Sequence, residues 1–105
     1  MSIADEIGEV TNAFGGQQVF LPDAGVWGVE VRHRGRSIIA CHAPDHPFSP
    51  SWVFIDPPPS WHAHYYVHSG ESVARLCWCT PSDWRPEYLL MVAVGCAIRF
   101  INEEL

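Results

Sequence analysis

The stretch VWGVEVRHRGRSIIACH, residues 26 to 42, contains two strand-like runs separated by a glycine-containing turn. In the first run every second residue from Trp27 to Val31 is apolar, which is the period of a half-buried β-strand. The run from Ser37 to His42 is the returning strand, and Gly35 supplies the positive φ that a tight hairpin requires. The stretch therefore predicts an antiparallel strand pair.

The chain before this hairpin predicts an N-terminal helix over residues 2 to 14 and a first strand. Ser2 is a suitable N-cap with Asp5 three residues later, and glycines at positions 15 and 16 end the helix. One face of this helix is apolar, comprising Ile3, Ile7, Val10 and Phe14. The next run, Gln17 to Leu21, predicts a short strand closed by a turn over Pro22 to Gly25.

The chain after the hairpin predicts a loop, a strand and a final helix. Ala43 to Pro50 contains three prolines in eight positions, which excludes regular structure. Trp52 to Ile55 predicts a short buried strand. Ser60 to Ala74 has no clear pattern: His62 to Gly70 is compatible with a strand or a loop, and Val73 to Trp78 with an extended run. The final helix is predicted with Pro86 in its first turn and an end near Ile101. It is apolar nearly all round, so we expect burial on most sides.

Together these elements predict one α+β domain over residues 1–105. We expect an N-terminal helix, a four-stranded antiparallel meander, a long cysteine-bearing loop and a C-terminal helix packed on the sheet. The formal net charge of -6 argues against a nucleic-acid partner. No apolar run is long enough to span a membrane, and the first residues lack the basic region of a signal peptide. A cytoplasmic protein is expected.

The segment LCWCTPSDWRP, residues 76 to 86, has the greatest concentration of reactive and turn-forming residues. Cys77 and Cys79 are one residue apart, and in a cytoplasmic chain thiols stay reduced. Cys41 and Cys96 lie within apolar runs and are predicted to be core residues. Thr80 to Asp83 predicts one helical turn, capped by Thr80.

Histidines precede this segment and allow a metal-binding interpretation. His62, His64, Cys77 and Cys79 are four possible ligands for tetrahedral zinc. The His-x-His and Cys-x-Cys spacings are tighter than those of usual zinc sites. A third histidine, His68, is predicted to be a surface residue.

Two passages resemble the ubiquitin-conjugating enzyme family. The passage APDHPFSPSWVFI, residues 43 to 55, is similar to that family's proline-rich loop leading into an aromatic strand. Leu76 and Cys77, followed by Trp84-x-Pro86, are similar to the passage in which the active cysteine precedes a Trp-x-Pro at a helix start. The resemblance covers about Trp27 to Ile101 and is closest to the trimmed bacterial relatives. Those occur in antiphage defence operons built around a cGAS-like nucleotidyltransferase.

The resemblance implies a thioester mechanism. Cys77 would be the nucleophile, accepting an acyl group from a thioester and yielding it to an amine. His64 stands where the family has an asparagine that supports the oxyanion, and a histidine N–H could donate the same hydrogen bond. His62 stands at the first histidine of the family's His-Pro-Asn motif. Asp83 either caps the turn with Thr80 or orients and deprotonates the incoming amine.

The resemblance also implies the partners of the reaction. The absence of a nucleotide-binding loop and of lysine is relevant to how they would act. The acyl donor would be the C-terminus of a cGAS-like nucleotidyltransferase or of a ubiquitin-like protein, passed on to a target protein. No glycine-rich nucleotide loop is present, so activation would come from an enzyme acting in trans or would not be needed, and no cofactor is implied. All six basic residues are arginine, and a lysine-free chain could modify itself only at its N-terminus. Codon bias is the simpler explanation for the absence of lysine. A non-catalytic binding module of the same fold remains an alternative to the enzymatic function.

Overall fold

The computed structural model of the chain describes residues 2–58, 65–67 and 74–105. These residues form two helices and six strands. In chain order they are α1 (Ile3–Phe14), β1 (Gln17–Leu21), β2 (Val26–His33), β3 (Arg36–Cys41), β4 (Trp52–Asp56), β5 (Tyr65–Val67), β6 (Ala74–Leu76) and α2 (Leu90–Glu104).

Helix α1 begins and ends as its sequence predicts. The Ser2 hydroxyl accepts the Asp5 N–H at 3.1 Å, and the Asp5 carboxylate accepts the Ser2 N–H at 3.4 Å, which forms a reciprocal capping box. Gly15 ends the helix in the left-handed conformation, with φ of 72°. The buried face is shorter than the predicted apolar stripe, because Ile3 and Phe14 are each 38% exposed.

The sheet contains the predicted meander but is wider than predicted. The strand order is β1-β2-β3-β4-β6-β5, and every neighbouring pair is antiparallel. The predicted count of four strands is therefore too low. β5 and β6 have three residues each, which is too few for an alternating pattern to be recognised.

The hairpin between β2 and β3 confirms the turn that was predicted there. Arg34 and Gly35 form a two-residue loop with φ of 51° and 80°, and positive φ at both central positions matches the right-handed twist of the flanking strands. The hairpin also contacts α2, because the amide oxygen of Asn102 accepts from Arg34 at 3.4 Å and lies 2.7 Å from Nε2 of His33 at the end of β2.

Both helices cover one face of the sheet. α1 contacts β1 and β2, α2 contacts β3 and β4, and the two helices contact each other. The residues between the layers form one apolar core, comprising Ile7, Val10, Val29, Val31, Ile38, Ala40, Val53, Ile55, Leu76, Leu90, Ala93, Val94, Ala97 and Ile101. This arrangement is the predicted α+β class, with helices packed on an antiparallel sheet.

Helix α2 begins four residues later than predicted, at Leu90 instead of Pro86. Pro86 lies in a separate turn, which is closed by the Tyr88 N–H donating to the Arg85 carbonyl at 3.0 Å. Leu89 is extended and has no side chain that could cap the helix. The Leu90 N–H instead donates to a Glu6 carboxylate oxygen at 3.0 Å, so the acceptor that satisfies the start of α2 comes from α1.

The other end of α2 lies beyond the predicted end near Ile101, since the helix continues to Glu104. The predicted burial on most sides holds for one face, whereas Val92 is 40% exposed. No helix in the described part of the chain is long and apolar enough to cross a membrane.

Candidate functional site

Cys77 is the first residue after β6, and it lies where three surface cavities meet. Its side chain is partly exposed. The cavities have volumes of about 350, 230 and 380 Å³. A thiol in this position can be approached from more than one side.

The three cavities are named here by what lines them. The proline-loop cavity lies between β6 and the loop before β4, and is lined by Asp45, Ser49, Pro50, Ser51, Trp52, Arg75, Leu76, Cys77, Trp78, Cys79 and Pro81. The α2-end cavity is lined by Leu76, Cys77, Trp78, Cys96, Arg99, Phe100, Glu103 and Glu104. The turn cavity is lined by Cys77, Trp78, Cys79, Thr80, Asp83, Tyr88, Val92 and Cys96.

Two tryptophans fix the loop that follows Cys77. The Trp78 indole N–H donates to the Ser51 carbonyl at 2.8 Å, and the Trp84 indole N–H donates to the Pro47 carbonyl, also at 2.8 Å. The two indoles meet edge to face with their centroids 6.1 Å apart, a favourable geometry for aromatic pairs. The backbone around Cys77 is thereby tied to the loop before β4.

The turn over residues 80–83 has the predicted form. The Thr80 carbonyl accepts the N–H groups of Asp83 and Trp84, both at 3.0 Å, and the Thr80 hydroxyl donates to the Asp83 carboxylate at 2.9 Å. Asp83 is exposed and borders the turn cavity together with Cys77. Its carboxylate thus supports the turn, and its predicted role toward an amine stays a prediction.

The other cysteines differ from Cys77 in their surroundings. Cys41 is fully buried, as predicted, and burial raises the pKa of its thiol to about 11. Burial raises the pKa of the Cys79 thiol, with a further contribution from the Asp83 carboxylate.

Cys96 is not the core residue that its apolar sequence context predicts. It is half-buried and borders both the α2-end cavity and the turn cavity. The reason is its position on α2, because Cys96 is on the side of the helix that the sheet does not cover. The loop after Cys77 runs past this side. Burial raises the pKa of the Cys96 thiol, and Arg99 partly opposes this effect.

The predicted site residues His62 and His64, like His68, lie outside the described residues. The zinc hypothesis needs two of these histidines, so it stays a hypothesis. Among residues 2–58, 65–67 and 74–105, no group of three or more histidine, cysteine or acidic side chains is arranged to hold a metal ion.

A buried polar network connects α1, the end of β3 and the proline-loop cavity. His42 Nε2 lies 3.0 Å from both carboxylate oxygens of Glu6, and His42 Nδ1 lies 2.9 Å from the Ser51 hydroxyl. All three residues are buried: Glu6 is 6% exposed, His42 is 7% exposed and Ser51 is 4% exposed. Ser51 also lines the proline-loop cavity, so one end of the network reaches the surroundings of Cys77.

A second imidazole is stacked on this network. The His46 and His42 ring centroids are 3.9 Å apart with an interplanar angle of 22°. Partial burial and then the neighbouring His42 lower the pKa of His46, against the raising effect of the Glu6 and Asp45 carboxylates.

Sequence reasoning missed Glu6, His42 and Ser51. A signal for Glu6 was present, because it lies four residues before the buried Val10 and therefore on the same face of α1. A carboxylate on a buried helix face requires a partner. Nothing local indicated that the partners would be His42 and the amide of Leu90.

Comparison of the chain with protein-family models, with curated proteins and with solved structures finds no match.

Proposed function

We propose that this protein is an acyl transferase of the ubiquitin-conjugating type, with Cys77 as the residue that carries the acyl group as a thioester. The observation that carries the proposal is the position of Cys77 at the junction of three cavities. A carrier thiol must receive an acyl group from one molecule and present it to another. A thiol with several approaches suits this exchange better than one at the end of a single closed pocket.

The fixed loop around Cys77 supports the same proposal. Transfer requires the Cys77 sulfur to be held in place, first as it attacks the donor thioester and then as an amine attacks the Cys77 thioester. The indole hydrogen bonds of Trp78 and Trp84 and the turn at Thr80 fix the backbone on the C-terminal side of the cysteine. β6 fixes it on the N-terminal side.

The proposed reaction has two steps. First, the Cys77 thiolate attacks the carbonyl carbon of a donor thioester; the new S–C bond forms and the donor's thiolate leaves. Second, an amine nitrogen attacks the same carbon; the N–C bond forms, the Cys77 thiolate leaves, and the proton of the amine passes to a base.

The proposed donor is a protein C-terminus, that of a ubiquitin-like protein or of a cGAS-like nucleotidyltransferase, activated in trans. The lysine-free composition supports this proposal, because lysine amines of the same chain could otherwise attack a cysteine that carries an acyl group as a thioester. The function would then be regulation of antiphage defence through modification of a target protein.

The first step can be tested without any partner protein. We expect a glycine-ended peptide thioester of a small thiol to acylate the protein once, giving an adduct that dithiothreitol removes and intact mass spectrometry detects. Cys77→Ala should abolish the adduct, whereas Cys79→Ser, the matched change two residues away, should keep it.

Two outcomes would refute the proposal. One is an unmodified wild-type protein, and the other is an adduct that persists in Cys77→Ala. Stoichiometric zinc in the purified protein, lost in both Cys77→Ala and Cys79→Ser, would instead support the zinc site.

A further inference from the structure

The network of Glu6, His42 and Ser51 contains three groups that can carry protons in sequence. An ionised carboxylate can only accept hydrogen bonds, so the contact between Glu6 and His42 Nε2 at 3.0 Å places the hydrogen on Nε2. Nδ1 of the neutral imidazole then has a free lone pair and accepts the Ser51 hydroxyl hydrogen at 2.9 Å. This arrangement makes the Ser51 oxygen a site that can receive a proton from the cavity while releasing its own to His42.

Fold stability alone does not explain why this polar network is buried. Buried ionic and polar groups cost desolvation free energy, and apolar residues of similar volume often stabilise a core as well or better. Glu6 and His42 are both under 8% exposed. Ser51 is also buried, at 4% exposed, but it is the member of the network that lines the cavity of about 350 Å³ beside Cys77.

We propose that Glu6, His42 and Ser51 form a proton relay that accepts the proton released when an amine attacks the acyl group on Cys77. The inference rests on the proposed function, since it names the base that the second step of that reaction requires. Ser51 would be the group that meets the reacting amine. His42 and Glu6 would act through Ser51, as positioning residues.

The relay accounts for the proton that the second step releases. As the N–C bond forms and the Cys77 S–C bond breaks, the amine proton moves to the Ser51 oxygen. The original Ser51 hydrogen moves to His42 Nδ1 and leaves an imidazolium ion beside the Glu6 carboxylate. The proton then returns through Ser51 to the departed Cys77 thiolate or to water, which restores the resting state.

The groups that face His42 or its partner Glu6 come from α1, the start of α2 and the loop before β4. From α1 the Glu6 carboxylate accepts its Nε2–H, and the Leu90 amide at the start of α2 donates to the same carboxylate. From the loop before β4 come the stacked ring of His46 and, beside it, Asp45. A protonated His46 would oppose an imidazolium at His42, so a neutral His46 is required for the relay to act.

The test uses the full chain with its Cys77 thioester formed from the peptide thioester described above. The measured quantity is the single-turnover rate at which methoxyamine removes the acyl group, followed by mass spectrometry at a series of pH values between about pH 6 and pH 8. Methoxyamine is neutral over this range, so its own ionisation does not contribute. The wild-type rate should rise with pH, because only the neutral imidazole can accept a proton.

Ser51→Ala should slow this discharge about 100-fold, the lower end of the range for general base catalysis, and should flatten its pH dependence. Ser51→Thr keeps a hydroxyl and should stay within a few-fold of wild type. Ser37→Ala is the matched control, because Ser37 is another buried serine with one side-chain hydrogen bond, to Arg32, away from the cavities. His42→Gln should give the same slow, pH-independent rate as Ser51→Ala.

The outcomes separate this inference from the function on which it rests. A protein that is never acylated refutes both. Normal acylation with a Ser51→Ala discharge rate equal to that of Ser37→Ala refutes the relay alone. A lower rate with an unchanged pH profile and a lowered unfolding midpoint would show that Ser51 has only a structural role, and this also refutes the relay.

Discussion

Replacing Glu6 with alanine should destabilise the protein strongly, although Glu6 is a charged residue on a helix. The Glu6 carboxylate accepts two hydrogen bonds, from His42 Nε2–H and from the Leu90 amide. Both donors belong to buried residues, 7% exposed for His42 and 0% for Leu90. The alanine variant leaves both without an acceptor.

The size of the loss follows from these two donors. A buried donor without an acceptor costs about 1–3 kcal/mol, so the pair costs about 2–6 kcal/mol. Small domains are stable by about 5–15 kcal/mol, and a urea m-value of about 2 kcal/mol/M is ordinary for them. The urea midpoint should therefore fall by about 1–3 M.

Two further variants make the measurement specific. Glu9→Ala removes an exposed carboxylate from the same helix and should change stability by less than about 0.5 kcal/mol. Glu6→Gln keeps one acceptor oxygen and should give an intermediate loss. Hydrogen exchange at the Leu90 amide should accelerate in Glu6→Ala, since that amide loses its partner. A Glu6→Ala loss no larger than that of Glu9→Ala would refute the reasoning.

The remaining predictions concern two glycines and a buried thiol. Gly28→Ala should cost about 1–3 kcal/mol in urea unfolding, because its Cβ would collide with the Ala40 carbonyl oxygen. Gly8→Ala has nothing within 4 Å of the new methyl and should gain about 0.5–1 kcal/mol; a stabilised Gly28→Ala or a destabilised Gly8→Ala would contradict this. For Cys41, whose pKa rises from 9.0 to about 11 on folding, the folded state favours the thiol, so this stabilisation is complete below pH 9 and is lost as the pH rises through 11. Unfolding of Cys41→Ala at a series of pH values should lack this part of the decline, and an identical decline in both proteins would show that Cys41 does not cause it.

The fold was predictable where the deciding interactions are local. Ser2 and Asp5 cap α1 three residues apart, and the hairpin loop at Gly35 depends on one backbone conformation. The four strands of the meander each have enough residues to show their period. β5 and β6 do not, and their pairing is fixed by neighbouring strands.

The site was less predictable because its connections are distant in sequence. Motif order indicated Cys77 as the candidate nucleophile, and the cap residue Thr80 indicated the turn after it. The start of α2, however, depends on Glu6, 84 residues before Leu90. His42 pairs with Glu6, 36 residues earlier, and with Ser51 at the other end of the loop between β3 and β4. Cys96 was misassigned because an apolar sequence context does not reveal which side of a helix the sheet leaves uncovered.

The long-range cap on α2 has a consequence for how the protein is made. Chains emerge from the ribosome from the N-terminus, and the Glu6 carboxylate waits for an amide synthesised 84 residues later. Until Leu90 emerges and docks, the start of α2 is not bound to the Glu6 carboxylate. The loop held by Trp78 and Trp84 meanwhile lacks the helix that follows it. A nascent chain would therefore already contain the Cys77 thiol but not the α2 residues that line the α2-end cavity and the turn cavity.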